Sequence, residues 1–558
     1  MKKRLLITST FLAVFAFSLT SCNKETYVPS KVLRCEYNND FYNVGIKGEG
    51  RKSLSFTVET ETDSNGELDT YRAVTDVNVL VVPIDFTDYR SELLPGGAEN
   101  ARHQIEVAHF GDPEEDLLYS ESLASYYYKS SLGVANISGT VADWYHTGMS
   151  VTQFAKYSGG GTGATLQLTT DIQEYMRNEY ETYEDDKEGY LATHDNKVPL
   201  NLKDFDANKD GYVDALIMIY SCPPRVAVNG KYVDNELFWA YTSQRPGAFG
   251  TVSKPAFFGY FWTSIETFYE AGYYDDNNVH HEWTDDDKAN GTVAIDCHTL
   301  IHEFGHILGL PDYYSYDANK GASDYYPMGG VDMMDFNVGD HNMMSKAWYG
   351  WVAPYVVEKS CTLTIGSSTT TGDFIILPVK GTYSGSLIDQ YVMIEFLTNE
   401  GVGVVDAEHR LVSLGSSSYP LWYSKIGIRV TLVDARLGVF NYDSTSGSFK
   451  FAGYTINFND NGNNSYVAFA HDNTKSRSAY PNYRFIELIS RTGVATSKLG
   501  RDAGNDDLFV QGDKFSSIWP KYMVNGVTGI KDVRFAFDFT VKTIDPVNKT
   551  ATISFKKL

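Results

Sequence analysis

Cysteine is scarce in this sequence, which has only five in 558 residues. That excludes the disulfide-rich scaffolds of small secreted domains. Basic residues are also outnumbered: 47 lysines and arginines stand against 71 aspartates and glutamates, and the formal net charge is −24. Negative charge of this size argues against nucleic acid as a partner, because a phosphate backbone is repelled. It suits an exported protein with acidic cation-binding loops.

An apolar stretch near the N-terminus, Leu5–Leu19, is too short for a stable membrane span and follows three basic residues, as in export signals. It ends in Leu-Thr-Ser-Cys at Leu19–Cys22, which resembles the lipobox of bacterial lipoproteins. We therefore expect residues 1–21 to be a lipoprotein signal peptide and Cys22 to carry the lipid that anchors an exported protein to the membrane or cell surface. A simple secretory leader cut nearby is the alternative.

The most informative stretch is Asp296–Asp312, which contains the pattern H-E-x-x-H-x-x-G-x-x-D. His302 and His306 are four residues apart and therefore lie one turn apart on the same face of a helix. Two imidazoles so placed bind one zinc ion, with Glu303 beside them as a base. Asp296 is the expected N-cap. An amphipathic helix with two solvent-facing histidines is the alternative, but it leaves the glycine and aspartate spacing unexplained.

The residues after the second histidine predict that the chain leaves the helix and turns back. Gly309 permits a left-handed backbone, and Pro311 cannot continue a helix. Asp312 can then approach the same metal as a third ligand. His298 lies one turn before His302, but three ligands in line would span about 12 Å of helix. We therefore expect His298 to be a hydrogen-bonded core residue.

The pattern of apolar residues predicts an α+β fold. Runs rich in β-branched residues at Val77–Phe86 and Ala215–Tyr220 predict buried strands. Helical patterns occur at 114–132 and 164–182, with a strand-like segment, Asn136–Tyr145, between them.

The length of the chain requires more than one domain. We expect a tether and β-rich lead-in over 22–75 and a metal-binding catalytic domain over 76–356. Beyond Pro354, short alternating strands separated by Gly, Ser, Asn and Asp turns predict a β-sandwich accessory domain over 357–558.

A second cation site is predicted in the loop before the strand at Ala215. Oxygen side chains at Asp206, Asn208 and Asp210, followed by glycine, reproduce the first half of a calcium loop. The twelfth position of an EF-hand is glutamate, whereas Ile217 stands here, so the loop is not an EF-hand. Asp214 is expected to close the calcium site. The alternative is a solvated acidic turn.

The segment His302–Tyr314 resembles the signature of the immune inhibitor A family of bacterial metalloproteases. Further similar segments are Val79–Asp88, Ser122–Tyr145, Asp206–Asp214, Asp332–Met334, Lys346–Pro354 and Gly427–Leu437. The resemblance implies a metzincin-like zinc endopeptidase that cleaves proteins or peptides. It assigns zinc to His302, His306 and Asp312, and the catalytic acid/base role to Glu303.

The same resemblance implies a methionine that packs below the ligand imidazoles without coordinating the metal. Met334 is the candidate and Met333 the alternative. Many metzincins have a tyrosine two residues further on that steadies the transition state, and Phe336 stands there in this chain. The candidates for the missing polarising group are Tyr313, Tyr314 and His341.

Two other functions are compatible with the motif. One is a zinc hydrolase that acts on a different bond. The other is a surface-anchored binding protein with an inactive metal domain. The presence of Glu303 argues against the second, because an inactive domain has no need of the base.

Overall fold

The structure is a computed structural model. It describes residues 29, 58–62, 68–72, 75–234, 236–245, 249–275, 277–315, 326–379, 387, 389–412, 419–435, 437–443, 445, 448–455, 464–467, 485–496, 499–516 and 537–558. Cys22 and the predicted signal peptide, as well as most of the predicted tether over 22–75, lie outside these residues. Within the described part of the chain, no helix combines the length and apolar character needed to cross a membrane.

Helices and strands alternate along the described chain, which confirms the α+β class. The strands are β1 (Val58–Thr62), β2 (Leu68–Arg72), β3 (Thr75–Asp85), β4 (Ala135–Val141), β5 (Tyr145–His146), β6 (Ala215–Tyr220), β7 (Ala227–Val228), β8 (Lys231–Tyr232), β9 (Tyr241–Gln244), β10 (Gly259–Ser264), β11 (Tyr273–Tyr274), β12 (His280–His281), β13 (Tyr355–Val356), β14 (Cys361–Gly366), β15 (Phe374–Pro378), β16 (Gln390–Leu397), β17 (Gly427–Asp434), β18 (Leu437–Asp443), β19 (Ser448–Thr455), β20 (Asn464–Val467), β21 (Ile486–Ile489), β22 (Lys514–Phe515), β23 (Phe537–Asp545) and β24 (Thr550–Lys557). The α-helices are α1 (Gly97–Phe110), α2 (Leu123–Ser130), α3 (Val151–Phe154), α4 (Thr162–Asp185), α5 (Lys187–Thr193), α6 (Asp285–Asn290), α7 (His298–Ile307), α8 (Met333–Phe336), α9 (Met343–Trp348), α10 (Ser368–Thr371) and α11 (Val404–Glu408).

The two predicted buried strands, β3 and β6, are neighbours in a sheet with the order β4-β3-β6-β10-β9. The first four of these strands are parallel, and β9 runs antiparallel to β10 at the edge. Central parallel strands are covered on both faces, which explains their nearly uninterrupted apolar sequences. The predicted strand at Asn136–Tyr145 is divided, with β4 and β5 both pairing with β3.

Alternate side chains of β3 and β6 enter two different cores, because successive residues of a strand point to opposite faces. Val79 and Ile217 share a core with α1, α2 and α7. Leu80 and Leu216 face the other way and pack with Leu168 of α4. The helix that carries the H-E-x-x-H motif, α7, thus lies on one face of the sheet, against β10 and the edge strand β9.

The helix predicted over 114–132 is shorter than expected. Its first half is irregular, because its backbone pairs with the segment that leads into α7. The Ile295 N–H donates to the Leu117 carbonyl at 3.0 Å, and the Tyr119 N–H donates to the Ile295 carbonyl at 2.9 Å. Ser122 then caps α2. The helix predicted at 164–182 is present as α4.

In the described residues beyond Pro354, the small sheet β19-β18-β20 accompanies two larger sheets, β13-β15-β16-β17-β21 and β14-β24-β23-β22. The two larger sheets share an apolar cluster to which the first sheet contributes Ile394 and the second contributes Ile553. The opposite face of the first sheet, with Phe374 and Met393, belongs to the same core as α7. The core around the metal motif therefore extends into the C-terminal region.

Candidate metal centre and active site

The two histidines of α7 converge on Asp312. The ring centroids of His302 and His306 are 4.9 Å apart and their planes are nearly perpendicular. Their Nε2 atoms lie 2.9 and 3.2 Å from the same Oδ1 of Asp312. Gly309 makes this possible by leaving the helix with φ +103°, a conformation that favours glycine. In the part of the chain that the structure describes, no other histidines, cysteines or acids form a comparable group of three or more.

Backbone carbonyls orient both imidazoles. The Nδ1–H of His302 donates to the Met333 carbonyl at 2.7 Å, and the Nδ1–H of His306 donates to the Leu310 carbonyl at 2.7 Å. Because a carbonyl oxygen can only accept, the proton of each ring is on Nδ1. Each Nε2 then faces Asp312, so both rings have the orientation of histidines that bind a metal through Nε2.

The electrostatics of this group favour a bound cation. Burial opposes a charge on His306, but the Asp312 carboxylate outweighs this effect and raises the pKa of His306 to about 9. In spite of its own burial, Asp312 has a pKa well below its usual value, because His306 and His302 stabilise the carboxylate. Two imidazole nitrogens and one carboxylate oxygen are a donor set found in catalytic zinc sites. The residues present therefore fit a zinc ion.

Of the two candidate methionines, Met334 lies directly beneath the helix. Gly305 sits between the two histidines, and a Cβ at this position would lie 2.6 Å from the Met334 sulfur. The side chains of Met333 and Met334 are both fully buried. Met333 contributes through its backbone, which accepts the hydrogen bond from His302.

Glu303 lies beside the metal group without joining it. Its side chain is half-buried, and its Oε2 accepts a hydrogen bond from the Thr242 hydroxyl at 2.9 Å. Thr242 belongs to the edge strand β9, so the Glu303 carboxylate is contacted by an element 61 residues earlier in the chain. The carboxylate is thus held next to the histidines and remains partly accessible to solvent.

The three candidates for a polarising group occupy different environments. Tyr313 is fully buried and its hydroxyl pairs with that of Ser345 at 2.5 Å. His341 is also buried, and burial together with Lys346 lowers its pKa well below the usual value, so it is neutral. Only Tyr314 is partly exposed beside the metal group, with its ring centroid 6.4 Å from that of His302.

Phe336, which stands where many metzincins have tyrosine, is part of an aromatic row. Its ring centroid lies 4.4 Å from that of Tyr326 and 4.6 Å from that of Tyr419. Tyr326 in turn lies 6.5 Å from Tyr314. The row connects the surroundings of the metal group with a residue of the C-terminal region.

His298 is a buried, hydrogen-bonded residue, as predicted. Its Nδ1 lies 2.5 Å from Asp296 Oδ1, and its Nε2 lies 3.1 Å from the Asp406 carboxylate. The prediction that Asp296 is the N-cap was wrong by one position, because Cys297 occupies it. The Asp296 carboxylate still accepts the His298 backbone N–H at 3.1 Å, and so satisfies a donor at the start of α7.

In the predicted calcium loop, the side chains bond to the loop's own backbone. Asp206 accepts hydrogen bonds from the N–H groups of Asp210 and Gly211, and Asn208 accepts one from Asp210. Asp214 accepts from the N–H of Ala207. These three side chains hold a compact turn before β6, and calcium binding there stays a prediction.

Sequence reasoning missed two side chains that contact the motif. Thr242 contacts Glu303 and Asp406 contacts His298, from positions 61 residues before and 108 residues after their partners. Neither belongs to a recognisable motif. Only the pairing of β9 with β10, and the packing of α11 against the start of α7, bring them to the site.

A family comparison agrees with this geometry. Residues 70–330 match the sequence model of the immune inhibitor A peptidase M6 catalytic domain. The match includes the central sheet, α7 and the group formed by His302, His306 and Asp312. A search of curated proteins found no match. The resemblance seen in the sequence is confirmed: residues 70–330 of this chain form a metallopeptidase catalytic domain of the immune inhibitor A family.

Proposed function

We propose that the protein is a zinc-dependent endopeptidase that cleaves extracellular proteins, with Glu303 as its base. The convergence of His302, His306 and Asp312, with Glu303 adjacent but outside the group, is the observation that carries this proposal. The family match supports hydrolysis of peptide bonds rather than of another bond.

In this proposal, three residues bind the metal and a fourth transfers protons. His302, His306 and Asp312 would hold the metal, and their carbonyl partners fix the rings in the binding orientation. When bound, zinc supplies Lewis acidity, which lowers the pKa of a water to about 7 and polarises the scissile carbonyl. Glu303 removes a proton from the attacking water and returns it to the leaving amine nitrogen. The half-buried position of Glu303 allows both transfers.

The same proposal includes a metzincin-like active site, a C-terminal β-sandwich and a lipid anchor. Met334 beneath Gly305 supports a metzincin-like active site. The two C-terminal sheets that share one apolar cluster support a β-sandwich. The sequence at Leu19–Cys22 supports export and a lipid anchor on the membrane or cell surface.

Two variants and a chelator test the chemistry. Digestion of casein and of a peptide library should stop when zinc is chelated and resume when zinc is restored. Glu303→Gln should keep full zinc content, because no ligand is changed, but lose activity by on the order of 10²- to 10⁴-fold. Asp312→Ala should lose both zinc and activity. Chelator-resistant digestion, or an active Glu303→Gln, would overturn the proposal.

A further inference from the structure

The contact between Thr242 and Glu303 joins the edge strand of the sheet to the proposed base. The Thr242 Oγ1 lies 2.9 Å from Glu303 Oε2 and 3.1 Å from the Glu303 carbonyl oxygen. A hydroxyl has one proton to donate. The carboxylate is the nearer acceptor, and its charge makes it the stronger one.

The strand holds the threonine in place from both sides. Thr242 is paired with Phe261 of β10, and Phe261 is fully buried in the core that contains α7. On the opposite face of β9, the Tyr241 hydroxyl lies 2.8 Å from the Thr165 hydroxyl of α4. Thr242 is also β-branched, which restricts its χ1 rotation. The donor is therefore rigid relative to the helix.

The carboxylate that receives this hydrogen bond has few other constraints. Among the residues that the structure describes, Thr242 is the only side chain that donates to Glu303. A half-buried glutamate has several rotatable bonds, and its functional orientation requires a fixed partner. With Oε2 held by the hydroxyl, Oε1 remains available for proton transfer.

We propose that Thr242 is a positioning residue, which holds the Glu303 carboxylate in the orientation for proton transfer. This inference rests on the proposed function, in which Glu303 is the base. It adds a residue from the edge strand to the machinery on α7.

The test compares three variants at this position in the full-length, zinc-loaded protein. Thr242→Val and Thr242→Ala both lack the hydroxyl, so kcat should fall about tenfold while KM changes little. Thr242→Ser keeps the hydroxyl and should restore most of kcat. Zinc content and melting temperature should stay close to wild type, since neither a ligand nor a core residue is changed.

Thr263→Val is the matched control. Thr263 follows Phe261 by two residues on β10, and therefore points to the same face of the sheet as Thr242. Its hydroxyl faces Thr267 at 3.4 Å rather than the base, so its removal should leave kcat unchanged.

The measurements distinguish a wrong role for Thr242 from a wrong function for the protein. Wild-type kcat in Thr242→Val, or a loss that serine does not restore, would overturn the positioning role while the chelator and Glu303→Gln results stand. A wild-type protein without chelator-sensitive peptidase activity would overturn both.

Discussion

At the scale of single residues, His298 links the catalytic helix to the C-terminal region. It lies between the carboxylates of Asp296 and Asp406, and all three side chains are buried. Burial lowers the pKa of His298, but the two carboxylates outweigh it and raise the pKa well above 6.5, its usual value. The imidazole is therefore charged, and one of its partners belongs to α11, far along the chain.

Asp406→Asn should destabilise the protein by about 1–3 kcal/mol, because it leaves a buried cation with one carboxylate instead of two. Asparagine retains an oxygen that can accept the Gly339 N–H. The loss of stability is therefore due mainly to the missing negative charge. Thermal unfolding of the zinc-loaded protein measures this effect. Glu408→Gln, an exposed neighbour on the same helix, is the control and should melt as wild type does.

The pH dependence of this pair follows from the direction of the pKa shift. A raised pKa means that the ion pair contributes its full stability below pH 6.5 and loses it progressively as pH rises from there through the higher folded-state value. The difference in stability between wild type and Asp406→Asn should therefore be present near pH 6.5 and shrink in alkali. A difference that disappears below neutral pH would contradict the charge assigned to His298.

At the scale of elements, α7 is stabilised by the elements packed around it rather than by its own length. It has only ten residues, too few to be stable as an isolated helix in water. The core with α1, α2 and β10 holds one side of it, and the Met334 sulfur fills the groove at Gly305. The helix is therefore a rigid support for His302, His306 and Glu303.

Calcium is predicted to bind the loop before β6. An ion that binds only the folded state stabilises it by about 2.7 kcal/mol at a hundredfold excess over Kd. The melting temperature of metal-stripped protein should therefore rise with calcium. This rise should vanish in Asp210→Ala, which removes one of the expected ligands.

Asp204→Ala supplies the control for this loop, because Asp204 is an exposed acid just outside the calcium pattern. It should keep the calcium-dependent rise. Melting curves of wild type that do not change across millimolar calcium would show that the loop is only a solvated turn.

At the scale of the whole molecule, the family match ends at residue 330, but the structural unit does not. Arg429 and Glu395, on β17 and β16, form a buried two-point ion pair at 2.7 and 2.8 Å. Glu395 also accepts the Met343 N–H, and Arg429 donates to the Val331 carbonyl. The C-terminal sheet thereby fixes the segments on either side of Met334.

The proposed lipid anchor at Cys22 predicts where the whole molecule is found. Wild-type protein should be in the membrane fraction of the producing cells, because the acyl chains of such an anchor insert into the bilayer. Cys22→Ala should be released or misprocessed. Fractionation with N-terminal sequencing distinguishes the two forms, and a wild-type protein that is wholly soluble with an N-terminus beyond Cys22 would contradict the lipid anchor. Ser21→Ala, which keeps the cysteine, is the matched control and should remain in the membrane.

The sequence by itself was enough to predict the convergence of His302, His306 and Asp312, the position of Glu303 beside them, and the central strands β3 and β6. Helical periodicity alone places His302 and His306 on one face, and the glycine at Gly309 permits the return that brings Asp312 to them. Long apolar runs such as β3 are equally local signals. These features depend on residues close together in the chain, so spacing is enough to predict them.

Only the tertiary structure decided which distant residues serve that group. Tyr313, Tyr314 and His341 were equivalent in the sequence, and burial separates them. Thr242 reaches Glu303 because β9 pairs with β10. Asp406 reaches His298 because the C-terminal region packs against the start of α7. The irregular backbone in the first half of 114–132 has the same origin, since its hydrogen bonds are satisfied by a remote segment. Contacts between elements far apart in the chain leave no periodic pattern, and only the packing of the folded chain creates them.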